Sequence, residues 1–132
     1  MEFIGLKYKI YNEDNGYSFN IQIIENAGKY EAITQFNHPK DGHLAKFTSP
    51  VTIISNKYVE TPSINVKETL NEHGHMSTMW KLNERNVEEF KLKCIFKGKN
   101  LSVGSKLEVL HTNMKKWVSY PLSLIGEIQI SD

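Results

Sequence analysis

Apolar and polar residues alternate along most of this chain, and period-two alternation predicts strands. The pattern is clearest from Phe90 to Ile130. There FKLKCIF puts Phe90, Leu92, Cys94 and Phe96 on one face, KLEVLHT follows after a Gly- and Asn-containing break, and WVSYPLSLIGEIQI adds further apolar runs. Nearer the start, Ile4, Leu6, Tyr8 and Ile10 predict a strand over residues 3–11, and Tyr17, Phe19, Ile21 and Ile23 predict its partner. Between them lies Asn12-Glu13-Asp14-Asn15-Gly16, whose Asn and Gly tolerate positive φ, so the two form a hairpin. Asn26-Ala27-Gly28 makes the next turn, and Tyr30, Ala32, Thr34 and Phe36 line a third strand.

Breakers set the remaining boundaries. Residues 37–50 contain Pro39, Gly42 and Pro50 and read as a long loop, with a short strand starting at Val51. Pro62 removes a ladder donor, which makes the segment around Tyr58-Val59 an edge or a turn. Residues 64–90 hold the only room for a helix. Ile64, Val66 and Leu70 suit a strand or a helical turn, and Asn86 stands three residues before Glu89, the outline of a helix N-terminus. Met76, Thr78, Trp80 and Leu82 return to period two. The expectation is an all-β domain spanning residues 1–132: one antiparallel β-sandwich or barrel of about 8–10 short strands, with at most one short helix between residues 64 and 90. No stretch is long enough for the crossover helices that parallel strands need.

Composition changes this picture little. A chain of 132 residues with 39% hydrophobic content is long enough to bury a core without a disulfide or metal. Cys94 is the single cysteine, and alternation places it among buried apolar neighbours. The start, Met1-Glu2-Phe3-Ile4-Gly5, lacks the basic and apolar regions of a secretory signal, and no apolar run reaches membrane-spanning length. These features point to a cytoplasmic protein with no membrane partner.

The net charge of +1 excludes a strongly basic nucleic-acid binder by bulk charge. Charge is nevertheless uneven: residues 81–116 carry nine basic and four acidic side chains. Only Arg85 among them offers a bidentate guanidinium, since every other basic residue is lysine. Eight of the fourteen aromatics stand next to a lysine. On a strand, neighbours face opposite sides, so aromatic-in and lysine-out follows from alternation alone. A stacking platform for single-stranded nucleic acid requires both on the outer face, at i and i+2, and Lys9 with Tyr11 and Lys115 with Trp117 have that spacing.

Catalytic patterns are sparse. His73-Gly74-His75 has the two-residue spacing that puts ligands on one face of a strand, making His73 and His75 the candidate metal ligands. The carboxylate a jelly-roll metal centre needs a few residues on is replaced by Met79 and Trp80, and the intervening glycine favours a turn. The sequence contains no nucleophile elbow and no phosphate loop, and no cofactor motif is recognisable. Glu13-Asp14 and Glu88-Glu89 are adjacent pairs whose members diverge on a strand.

The sequence therefore points to a non-enzymatic binding protein acting through protein–protein contacts, of an immunity, inhibitor or bacterial or phage assembly type. The alternative is a β-barrel binding single-stranded nucleic acid through residues 81–116; a small metal-dependent enzyme is third. The partner surface falls on two lysine-rich loops and the apolar-aromatic segment beside the second: Lys97, Lys99, Lys115, Lys116, Trp117 and Tyr120. An exposed strand edge would also allow association with a second copy.

Overall fold

The alternation resolves into strands in a computed structural model that describes residues 1–14, 16–37, 44–66, 81–82 and 85–131. The first sheet is an antiparallel meander of Lys7–Tyr11 (β1), Ser18–Asn26 (β2), Lys29–Asn37 (β3) and Leu44–Pro50 (β4). The chain then passes through Val51 into a second sheet, starting with Thr52–Ser55 (β5), Tyr58–Glu60 (β6), Ile64–Asn65 (β7) and Lys81–Leu82 (β8). It continues with Arg85–Lys97 (β9), Asn100–Leu101 (β10), Lys106–His111 (β11) and Trp117–Pro121 (β12). A four-residue helix, Leu122–Ile125 (α1), leads back to the first sheet, where Glu127–Ser131 (β13) pairs with β1. The first sheet has the order β13-β1-β2-β3-β4 and the second β12-β11-β9-β6-β5, with β7, β8 and β10 also paired to β9. The chain thus crosses between sheets once at each open side, through Val51 and through α1.

The fold is all-β and antiparallel, as the alternation predicts. The thirteen strands among the described residues exceed the expected count because several are only two residues long. Tyr8, Ile10, Phe19, Ile21 and Phe47 of the first sheet face Phe90, Leu92, Phe96, Leu107 and Val109 of the second, all buried. Phe47 meets Phe90 edge-on at 5.3 Å between centroids, and Tyr8 meets Phe96 at 5.5 Å.

β9 is the spine of the second sheet. It pairs with β10 and β11 along one side and with β6, β7 and β8 along the other. Where pairing lapses, hydroxyls take over its amides: the Ile95 N–H donates to Ser105 Oγ at 2.8 Å and the Leu92 N–H to Thr61 Oγ1 at 2.8 Å. Buried amides left without acceptors cost on the order of 1–3 kcal/mol each, so these hydroxyls hold the ladder together.

Five local expectations are corrected. The segment Tyr58–Glu60 (β6) is neither an edge nor a turn but an interior strand between β5 and β9, because Pro62 lies beyond its end. Residues 3–6 turn rather than extend, because Gly5 sits at φ 84°. Phe3 is thereby the buried residue, stacked on Phe96 at 3.9 Å, while Ile4 and Leu6 pack at the margin. Residues 44–50 of the expected loop are β4, whose Phe47 and Ser49 alternate inward. Asn86 to Glu89 do not start a helix. The register with β11 shifts between Leu110 and His111, so Glu88 is an extra residue in β9, a bulge that turns both Val87 and Phe90 into the core. The one short α-helix among the described residues is α1, outside the expected 64–90 window. Residues 67–80, including the Met76–Trp80 alternation, lie outside the described residues.

Candidate functional site

Strand direction separates the two lysine-rich loops. Lys97 ends β9, whereas the 112–116 hairpin joins β11 to β12 beside the opposite, Arg85 end of β9. At about 3.3 Å per residue, the thirteen residues of β9 hold the two loops roughly 40 Å apart. Lys97 and Lys99 do not form one patch with Lys115 and Lys116.

The first loop is a tight turn with Gly98 at φ 60°. It leans on the N-terminal segment: the Tyr8 hydroxyl donates to the Lys99 carbonyl at 2.6 Å, and a methyl group at Gly98 would come within 2.9 Å of Glu2 Oε2. Its two lysines are exposed, with a carboxylate beside them.

The second loop stands on a buried polar pair. His111 is fully buried, and its Nδ1 bonds to the Asn86 carbonyl at 3.2 Å. A carbonyl only accepts, so Nδ1 carries a proton, and in that tautomer Nε2 accepts from the Tyr120 hydroxyl at 2.6 Å. Tyr120 is half-buried with its hydroxyl committed inward, its ring edge-on to the imidazole at 5.7 Å. Thr112 donates its N–H to Asn86 as well, and the Arg85 guanidinium donates to Met114 Sδ at 3.2 Å. Arg85, Lys115 and Lys116 are exposed around this hairpin.

Trp117 begins β12 opposite Leu110, on the outer face of the second sheet. Lys91 extends its ammonium over the indole, 4.4 Å from the ring centroid. The expected Lys115–Trp117 pairing at i and i+2 needs Lys115 on the strand, but β12 starts at Trp117. Lys91 was missed because only the register reveals it: Lys91 faces Glu108, and Glu108 faces Ser119, two residues from Trp117. The other spaced pair is observed, with Lys9 over the Tyr11 ring at 4.9 Å on the outer face of the first sheet.

Two carboxylates on the second sheet's outer face hold direct partners. Lys93 and Glu108 form an ion pair at 2.5 Å; their hydrogen bond raises the lysine's pKa and lowers the carboxyl's. Tyr58 donates to Glu60 at 2.5 Å, and that bond to a carboxylate raises the phenol's pKa. Between the two loops, then, the face carries both signs. The Cys94 thiol is buried and pushed up to about 12 by desolvation, the condition of a packing residue rather than a nucleophile.

His73 and His75 lie outside the described residues, as do His38, Asp41 and His43. Among the described residues no group of three His, Cys, Asp or Glu converges as metal ligands would, and no helix is long and apolar enough to cross a membrane. Compared with protein-family models, curated proteins and solved structures, the chain matches none.

Proposed function

We propose that this chain is a non-enzymatic, cytoplasmic binding protein that acts through protein–protein contacts, docking a partner with an acidic surface at the β11–β12 end of the second sheet. Immunity proteins, inhibitors and bacterial or phage assembly components work in this way. The observation that carries the reading is Trp117, which lies half-buried on an outer sheet face beside Leu110, with Lys91 against its ring. Exposed Lys115 and Lys116 immediately precede it, and exposed Arg85 bonds to Met114 of the same hairpin. Protein interfaces concentrate tryptophan and arginine and combine an apolar anchor with a polar rim. The indole is already held by the sheet and by Lys91, so little side-chain freedom is lost on docking. The interleaved carboxylates Glu60, Glu89 and Glu108 weigh against a continuous track for a phosphate backbone along β9.

Capture from native lysate, with and without nuclease, tests this reading. A partner protein should survive nuclease treatment, bind at least about thirtyfold more weakly to Trp117→Ala, and be weakened by Lys115→Glu with Lys116→Glu. Lys97→Glu with Lys99→Glu, at the far end, should leave capture intact. Capture abolished by nuclease, together with binding to single-stranded DNA that falls steeply with salt, would transfer the site to the nucleic-acid reading.

A further inference from the structure

We propose that β13 pairs with β13 of a second copy of this chain, antiparallel about a two-fold axis through Gln129, joining two five-stranded sheets into one of ten strands. The surface is distinct from the Trp117 end of the second sheet.

The argument begins with sheet edges. An open antiparallel sheet exposes unpaired N–H and C=O groups, and proteins blunt such edges with proline, lysine, brevity or irregularity. Among the described residues the strand orders end at β13 and β4 in one sheet and at β12 and β5 in the other, the side strands β7, β8 and β10 being only two residues long. Three of these end strands carry such a device. β4 presents exposed Lys46 and ends in Pro50. β12 ends in Pro121. β5 is four residues long and has a register irregularity between Ile53 and Ser55. β13, Glu-Ile-Gln-Ile-Ser, has no proline, no basic residue and no bulge.

Its sequence is also self-complementary. Centred on Gln129, antiparallel pairing sets Ile128 opposite Ile130 of the second copy, Glu127 opposite Ser131, and Gln129 opposite itself. Ile128 and Ile130 lie on the core side, in register with buried Ile10 and Tyr8. Ile130 is 41% exposed at the open edge, and the pairing would cover it from both copies. On the outer face the charges complement one another. Lys7 is in register with Ser131, so Glu127 of the second copy falls in the same row, one small serine beyond Lys7. Strands lie about 4.8 Å apart, so two spacings are within reach of a lysine and a glutamate side chain extended toward each other. No like charges stand directly opposite, which would disfavour pairing. Five paired residues make a small contact, so the dimer should depend on concentration.

Charge substitution at the axis tests this directly. Gln129 is exposed, so Gln129→Lys and Gln129→Glu should keep the wild-type circular dichroism, while each places like charges against each other in a homodimer. Sedimentation equilibrium should show the wild type forming dimers as concentration rises, with each variant dissociating at about fivefold higher concentration. An equimolar mixture of the two variants should regain association, as heterodimers seen by native mass spectrometry. Gln129→Cys should form a disulfide dimer on oxidation, since directly opposed strand residues lie within disulfide reach, and Lys46→Cys on the β4 edge should not. A wild type that stays monomeric to its solubility limit would overturn the proposal. So would dimers indifferent to both charges, or a different protein's strand found on this edge of a monomeric chain.

Discussion

The two lysine-rich loops look alike as sequence, Lys-Gly-Lys in one and Met-Lys-Lys-Trp in the other, yet they are anchored differently. The Lys97–Lys99 turn is held by the core of the first half of the chain: Phe3 stacks beneath it on Phe96, Tyr8 bonds its carbonyl, and Glu2 sits beside it. The 112–116 hairpin is held by a buried histidine and presents an indole with an ammonium over it on the adjoining sheet face. Similar charge thus serves a packed corner in one place and a surface with an aromatic anchor in the other. The difference lies in what stands under each lysine, which composition does not record.

Removing the support of the first loop should have the largest effect. Phe96→Ala takes a fully buried ring from between Phe3 and Tyr8, and should cost about 3–5 kcal/mol in urea unfolding. Binding at the Trp117 end should be unaffected under conditions where the variant remains folded.

The same corner should make the protein sensitive to alkali. Burial pushes the Cys94 thiol from 9.0 up to about 12, and desolvation, aided by Cys94, pushes the Tyr8 phenol from 10.0 up to about 12. Both are therefore neutral in the folded state over a range where the unfolded chain releases their protons. Stability should be full below pH 9 and decline as pH rises toward 12, with Cys94 contributing up to about 4 kcal/mol of the loss. Cys94→Ala should flatten that decline in unfolding curves recorded across the range. A slope unchanged by the substitution would assign the sensitivity to other groups.

The second loop offers a smaller effect that sharpens the contrast. His111→Ala leaves the Tyr120 hydroxyl without its partner and the Asn86 carbonyl with the Thr112 N–H, and should cost about 2–3 kcal/mol. Here the local signature matters more than the magnitude. Amide exchange should accelerate at Thr112, whose N–H bonds to Asn86 of β9, and at Met114, whose N–H closes the turn on the His111 carbonyl, and not at residues 97–101. A uniform acceleration would mean that the two loops share one support.

The architecture was legible where side chains alternate without interruption, as in β2, β3, β9 beyond Phe90, and β11. It was obscured wherever one backbone feature changed the phase. Glu88 inserts a residue, and the resulting three-residue spacing of Val87 and Phe90 is also the spacing of a helix face. Gly5 bends a segment whose apolar spacing fits a strand. In the candidate site, Trp117 was singled out by its spacing from Lys115, but its partner Lys91 is 26 residues away and is brought there by the register of three strands. Tyr120 stood out by composition alone, and its bond to His111 depends on two adjacent strands facing their side chains inward. Single-strand periodicity carries the first kind of information and not the second.

The ladder between β1 and β13, with residue 7 opposite residue 131, also has a kinetic meaning. The β1–β4 meander can form from contacts close in sequence, whereas β1 acquires its outer neighbour only after nearly the whole chain has been brought back on itself. Closing so long a loop carries the largest chain-entropy cost in the fold, and topologies rich in such contacts fold slowly. During that interval β1 is an edge strand, bordered by Lys7 and Lys9 on its outward side. Those two lysines would then act as temporary guards, discouraging mispairing between half-folded chains until β13 takes their place at the edge.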